Sequence, residues 1–281
     1  MNRLIDLKNT IKKIIDTENN FSGFPFVIGT SLDERLISNI TISKPLLIVL
    51  IKGDKVFYGV DEVKVGSGEY ALLTNQSCMT VRNIAENDEN LSFFIEFEKE
   101  DFRANYFLRE KKLTAYEEFF SGNISVDLEI SLCQFAAWGE NMSPKVRSLR
   151  RKEIVNILYS LGHEDIFSWD DESIISQRVV DVIRRNLTEK VEINKIADEL
   201  WMSASTLRRK LLLEGTSLQK IKDQVKLSYS LHLLQTTNLP IIVIAEMSGY
   251  KSSFRFSQRF EKHFGITPSL LRKSRSAVET S

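Results

Sequence analysis

Two short stretches carry side chains suited to reading patterned polar edges. In "SASTLRRKLLL" (203–213) they are Ser205, Arg208 and Arg209; in "KSSFRFSQRFEK" (251–262) they are Ser253, Arg255 and Gln258. An arginine fork presents paired donors that match the two acceptors on a guanine edge. A glutamine amide offers the donor and acceptor that adenine requires. Lys210, Lys251, Arg259 and Lys262 lie beside these sets and supply cations suited to phosphate, or to plain surface. Phe254 sits among the second set; its ring could meet a thymine methyl or pack against Tyr250. For Arg208-Arg209-Lys210 the competing reading is a solvated basic face, so the elements that hold these residues decide between the two.

Those elements occur twice. In "VEINKIADELWMSASTLRRKLLLEG" (191–215), Ile193, Ile196, Ala197 and Leu200 fall at i, i+3, i+4, i+7, one face of a short helix. "WMS" breaks the pattern, and Ser203 is a good N-cap for a second helix with Leu207 and Leu211 inward. In "LPIIVIAEMSGYKSSFRFSQRFEKHFGITP" (239–268), Ile241, Ile244, Ala245 and Ser248 repeat that face, Gly249 supplies the turn and Ser252 the cap. The first helices match at an offset of 48 and the second at 49, so the second turn is one residue longer. A short helix, a tight turn and a second helix with a polar outer face describe a helix-turn-helix. Strand-like alternation runs only from Phe254 to Ser257. At helical spacing Phe256, Phe260 and Phe264 cluster as core, and Arg255, Gln258 and Lys262 point the other way.

Charge agrees with this division. Residues 172–276 carry 18 Lys+Arg against 10 Asp+Glu, whereas residues 1–171 carry 20 against 27. A basic third on an acidic body implies a polyanion partner for the smaller module. The polar, acidic "GHEDIFSWDDES" marks the join, with a linker at 166–173 between a first domain at 1–165 and a second at 174–276.

The first domain reads mostly as strands from about residue 25 to 98. "PLLIVLI" and "LSFFIEF" are β-rich runs, "KGDKVFYGV" has the Gly-Asp turn of a hairpin, and "VGSGEYALL" a glycine-bounded turn. Short strands this closely spaced suggest a small β-barrel or sandwich. Leu4 to Ile15 suits an amphipathic helix, and from about Arg103 the pattern turns helical. The apolar stripe Val146, Leu149, Ile154, Ile157, Leu158, Leu161 fits packing onto the barrel and a dimer helix equally well. Lys44, Lys55 and Arg82 could pair an acidic effector, although single cations on strands are usually surface.

Several chemistries lack their residues. There is no Gly-x-x-x-x-Gly-Lys, no complete Gly-x-Gly-x-x-Gly, no Cys-x-x-Cys and no Ser-His-Asp constellation in the barrel. Cys78 and Cys133 form no disulfide framework and no zinc spacing. The expectation is a protein without enzyme activity, cofactor or metal. No signal-peptide pattern opens the chain, and the longest apolar run (46–51) is too short for a bilayer, so a cytoplasmic protein without membrane contact is expected.

The stretch 226–268 resembles the signature of AraC/XylS-type bacterial transcription regulators. The resembling residues are Lys226-Leu227, Ile244-Ala245, Gly249-Tyr250, Phe256, Phe260, Phe264-Gly265 and Thr267-Pro268, and the likeness extends upstream to cover roughly 174–273. It implies two helix-turn-helix subdomains joined by a long helix near 218–236, and a regulator, more often an activator, that binds double-stranded DNA and works with RNA polymerase. An aromatic is common in the family where Arg255 stands, and a small or polar residue where Phe254 stands. The N-terminal part resembles the cupin-like sensory and dimerisation domains that often precede this module. That implies input from a small-molecule effector or regulatory protein, and a homodimer. Metal-binding cupins use a histidine cluster, and His163, His232 and His263 all follow the barrel. The fold expected is α+β in two domains: a cupin-like β-barrel with flanking helices, then an all-α double helix-turn-helix domain. The competing functions are a nonspecific polyanion-binding or protein-interaction module and, least supported, a cupin-type enzyme.

Overall fold

The structure is a computed structural model that describes residues 5–17, 24–31, 34–42, 44–59, 61–73, 78–86, 89–98, 100–102, 119–139, 141–163, 175–187 and 192–276. The linker expected at 166–173 lies outside the described residues. Among them nine strands form two antiparallel sheets: β1 (Val27–Ser31), β2 (Arg35–Thr41), β3 (Leu46–Lys52), β4 (Asp54–Tyr58), β5 (Glu62–Val65), β6 (Glu69–Leu73), β7 (Cys78–Ile84), β8 (Asn90–Glu96) and β9 (Phe119–Asn123). One sheet has the order β1-β8-β3-β6-β9, the other β2-β7-β4-β5. Helix α1 (Ile5–Thr17) precedes the strands; α2 (Val126–Trp138) and α3 (Pro144–Ser160) follow them.

The run "LLIVLIK" is apolar almost throughout because β3 is covered on both faces. Ile48 and Leu50 join Phe57, Val65, Ala71, Leu73, Met79 and Val81 in a core between the sheets. Leu47, Val49 and Ile51 face the opposite way, into a larger core closed by the helices. There α1 supplies Leu7, Ile11 and Ile14, α2 supplies Leu128 and Leu132, and α3 supplies Ile154 and Leu158. The apolar stripe of α3 therefore divides: Ile154 and Leu158 are buried against this core, whereas Val146 and Leu149 are exposed.

Two expectations change. "KGDKVFYGV" is not a hairpin, because β3 and β4 belong to different sheets and β4 pairs with β5 and β7. Gly53 is the corner between them, at φ 75°, where a Cβ would meet the Ile84 carbonyl at 2.7 Å. Strand β9 falls in a stretch that reads as helical; its Gly122 and Asn123 are turn-type residues, so pairing with β6 outweighs local preference. At the start of the polar stretch, His163 Nε2 lies 2.5 Å from Tyr70 Oη.

The C-terminal part is helical among the described residues: α4 (Ile175–Arg185), α5 (Ile193–Glu199), α6 (Ala204–Leu213), α7 (Leu218–Thr236), α8 (Ile241–Met247), α9 (Ser253–Phe264) and α10 (Pro268–Ser276). Two cores lie along it. Val179, Ile183, Ile196, Leu207 and Leu211 meet the first half of α7 through Ile221 and Val225. Leu227, Leu231 and Leu234, on its second half, meet Ile244, Phe256, Phe260 and Phe264. At 1.5 Å per residue α7 is about 28 Å long, a strut shared by both cores.

Strand β2 joins the two parts. It is the edge of the four-stranded sheet, with a register break between Ile37 and Ile40, and Ile37 is buried in the second helical core. Within the break Asn39 adopts φ 54°, which asparagine tolerates, and donates from Nδ2 to the His263 carbonyl at 2.7 Å. Arg35 donates to the Leu270 carbonyl at 2.7 Å. The edge strand thus satisfies a carbonyl that the end of α9 leaves without a helical partner.

Candidate nucleic-acid interface

Helices α5 and α6 form one helix-turn-helix and α8 and α9 the other, with matched turns. Met202 N–H donates to Ala197 O at 2.9 Å, and Tyr250 N–H to Ala245 O at 2.9 Å. In the second turn Gly249 takes φ 75°, and in the first the equivalent residue, Trp201, takes φ 57° while 93% exposed. Sequence reasoning missed this, because tryptophan gives no signal for a left-handed backbone. Ser203 Oγ accepts from Thr206 N–H at 3.2 Å and Ser252 Oγ from Arg255 N–H at 3.4 Å, so both expected N-caps stand where the spacing put them.

The inward face of each second helix orients the rest. Leu207 and Leu211 are buried in α6, and Phe256, Phe260 and Phe264 in α9. At about 100° per residue, Ser205 and Arg209 then project from the far side of α6, and Phe254 and Gln258 from the far side of α9. All four are exposed. Ser205 Oγ is 2.9 Å from Ser203 Oγ, within the cap. Arg208 is also exposed but lies to one side, lining a cleft with Glu192, Ser217 and Lys222. Ser253 is half-buried as the first residue of α9, and Arg255 is exposed and also points away from the buried phenylalanines. Of the phosphate candidates, Lys210, Lys251 and Lys262 are exposed, whereas Arg259 is paired with Asp223 of α7 at 2.8 Å.

Phe254 does not pack against Tyr250. Tyr250 stacks on Phe256 instead, with ring centres 5.3 Å apart, and lies under Lys226 Nζ. Burial pushes the Tyr250 phenol up to about 12. Lys226 also donates to the Gly249 carbonyl at 3.1 Å. Gly265 closes α9 at φ 74°, its N–H bonded to Glu261 O at 2.8 Å. Thr267 Oγ1 accepts from Leu270 N–H at 3.2 Å ahead of α10, where Pro268 holds the first position. The residues that carry the resemblance are therefore scaffold, and the outward residues are independent of them.

A second polar site lies in the first domain, facing the helices. Lys55 is 6% exposed; Nζ donates to Asn83 Oδ1 and lies 5.7 Å from the centre of the Phe94 ring. Burial pushes its amine down to about 7. It borders a cavity of about 50 Å³ with Ser31, Arg35 and Asn90, closed by Leu234 of α7 and Leu271 of α10. Lys55 is thus not the surface cation expected, because its strand turns it between the sheet and the helical domain. Lys44 pairs with Glu98 at 2.6 Å, and Arg82 pairs with Glu34. Cys133 is half-buried, and burial pushes its thiol up to about 11; the Cys78 side chain lies outside the described residues. Among the described residues no group of histidine, cysteine or carboxylate could hold a metal ion. No described helix is long and apolar enough to cross a membrane.

Comparison with known proteins agrees with this geometry. Residues 196–274 match the family model described as a helix-turn-helix domain. The HTH-type transcriptional activator CfaD of Escherichia coli is 34% identical over 96 residues, 34% of this chain and 36% of CfaD. The transcriptional activator AggR of Escherichia coli gives the same identity over the same length and the same shares. The alignments thus span about a third of these relatives. An apo lysine-to-alanine variant of ToxT from Vibrio cholerae shares the fold, with a TM-score of 0.69 and 14% identity, over 92% of this chain and 99% of that one. ToxT with a bound unsaturated fatty acid superposes with a TM-score of 0.64 and 15% identity, over 92% and 98%. The chain therefore has the two-domain fold of ToxT, and residues 196–274 of its C-terminal part are similar to a helix-turn-helix domain.

Proposed function

We propose that this protein is a sequence-specific DNA-binding transcription regulator, and an activator, that reads two successive major-groove segments with α6 and α9. One observation carries the reading: two helix-turn-helix units in a basic domain, held at a fixed separation by the shared helix α7, each turn a polar face outward. A major groove admits a helix, and readers about 34 Å apart meet one face of DNA. Ser205, Arg208, Arg209, Ser253, Arg255 and Gln258 then read bases, while Lys210, Lys251, Arg259 and Lys262 hold phosphates. Arg259 must leave Asp223 or share it to do so. The sensory domain occupies 1–165, the linker 166–173 and the DNA-binding domain 174–276. RNA polymerase is the partner of an activator, and a homodimer through the first domain fits the exposed Val146 and Leu149. Selection of bound fragments from random duplex DNA tests the reading. Enrichment of a long asymmetric motif is expected; retention of all sequences alike, with steep salt dependence, would mark a nonspecific polyanion binder instead.

The buried Lys55 favours an acidic small-molecule effector at the seam between the domains. A cavity of about 50 Å³ takes the head group of an acid, and a longer tail requires the seam to part. Fatty acids, the class named with ToxT, should raise the melting temperature of the protein and leave Lys55→Met unmoved. Equal shifts in both proteins would remove Lys55 from the site.

A further inference from the structure

The two readers can be compared position by position. The offset of 49 pairs Ser205 with Phe254 and Arg209 with Gln258, and these four share the outward faces. Phe254 is the second residue of α9 and is 69% exposed. The ring contacts around this helix run from Tyr250 to Phe256, Phe260 and Phe264 on the buried side, and Phe254 takes no part in them. A single exposed apolar residue is ordinary on a protein surface. What sets Phe254 apart is its place, in the first turn of a reader helix and one turn before Gln258.

The N-terminal residues of such a helix are those that reach base edges. On those edges the thymine C5 methyl is the apolar feature, and a phenyl ring is suited to it. Gln258 follows about 6 Å further along the helix axis, close to two base steps of about 3.4 Å. We propose that Phe254 reads the 5-methyl group of a thymine in the second half-site, with Gln258 on a nearby adenine. This rests on the DNA-reading function proposed above. The second half-site is then A·T-rich, whereas the first, facing Arg208 and Arg209, is read through guanine.

The test uses the full chain and the duplex enriched by selection. Each thymine of the second half-site is replaced in turn by deoxyuridine, which removes the methyl group and keeps the pairing. At one thymine the wild-type protein should bind about four-fold more weakly, the equivalent of one methyl group buried. Phe254→Ala should bind the thymine duplex more weakly and lose its response to uracil at that position, while melting as the wild type does. At the same position a C·G pair should bind poorly and 5-methylcytosine should recover part of the loss. The proposal is overturned if no uracil weakens wild-type binding, or if wild type and Phe254→Ala lose affinity equally at every position. Failure of selection to enrich any duplex would overturn the regulator reading and this proposal together, so the two failures are distinct.

Discussion

Gln258 of α9 and Arg209 of α6 occupy equivalent outward positions, each one turn beyond the first exposed side chain of its helix. Gln258→Ala and Arg209→Ala should each cost about 1–3 kcal/mol on the enriched duplex and far less on random DNA. Titration of both duplexes by anisotropy measures the difference; an equal loss on the two would make either residue a phosphate contact. Lys55 allows a prediction about pH. Its amine titrates near 7 in the folded protein and near its ordinary value when unfolded, so between those values the unfolded chain binds more protons. Wild-type stability should therefore rise as pH increases from about 7 towards 10, by on the order of 3 kcal/mol. Denaturant unfolding of Lys55→Met should lack that rise. Its strand was legible in the sequence but its burial was not, because which neighbours close over a strand residue is decided by domain docking.

Both turns impose a left-handed residue, and the two elements meet that demand differently. Trp201 holds φ 57° with a side chain that costs more there than glycine, and its exposed indole gains little from packing. Trp201→Gly should therefore raise stability, by about 1 kcal/mol after the entropy glycine loses on folding. At Gly249 a Cβ would meet Lys226 Nζ at 2.8 Å and the Leu187 carbonyl at 3.0 Å, so Gly249→Ala should destabilise. Thermal melts of the two variants should move in opposite directions. The helical repeat was readable because Ile196, Ala197, Leu207 and Leu211 recur as Ile244, Ala245, Phe256 and Phe260, a period set by core packing. Strand β9 was not readable, since "FFSGN" owes its conformation to pairing with β6. The Gly53 corner was misread for a related reason: the residue signals a sharp turn but not which sheet receives the next strand.

Across the whole molecule, the shared helix α7 fixes the angular phase of α6 relative to α9. A duplex turns about 35° per base pair, so one extra base pair between the half-sites rotates one reader's target away from its helix. Insertion of one base pair should weaken binding at least about ten-fold. A full extra helical turn, which restores the phase but doubles the span, should not recover it, and gel-shift titration of the spaced duplexes distinguishes these outcomes. The two-domain layout was legible from charge and composition. The contact through β2 was not, because Arg35 and Asn39 carry no mark of partners 235 and 224 residues away in sequence.

That contact has a consequence for the first domain by itself. Its four-stranded sheet ends at β2, and the helical core covers Ile37 on that edge. With the helical domain removed, a strand edge with open amide and carbonyl groups and an uncovered isoleucine would face water, the condition under which edges pair with copies of themselves. A truncated chain ending near residue 165 should self-associate, and Ile37→Lys should restore a single species in sedimentation. The helical domain would thus keep in solution a sheet that would otherwise stick to its own kind.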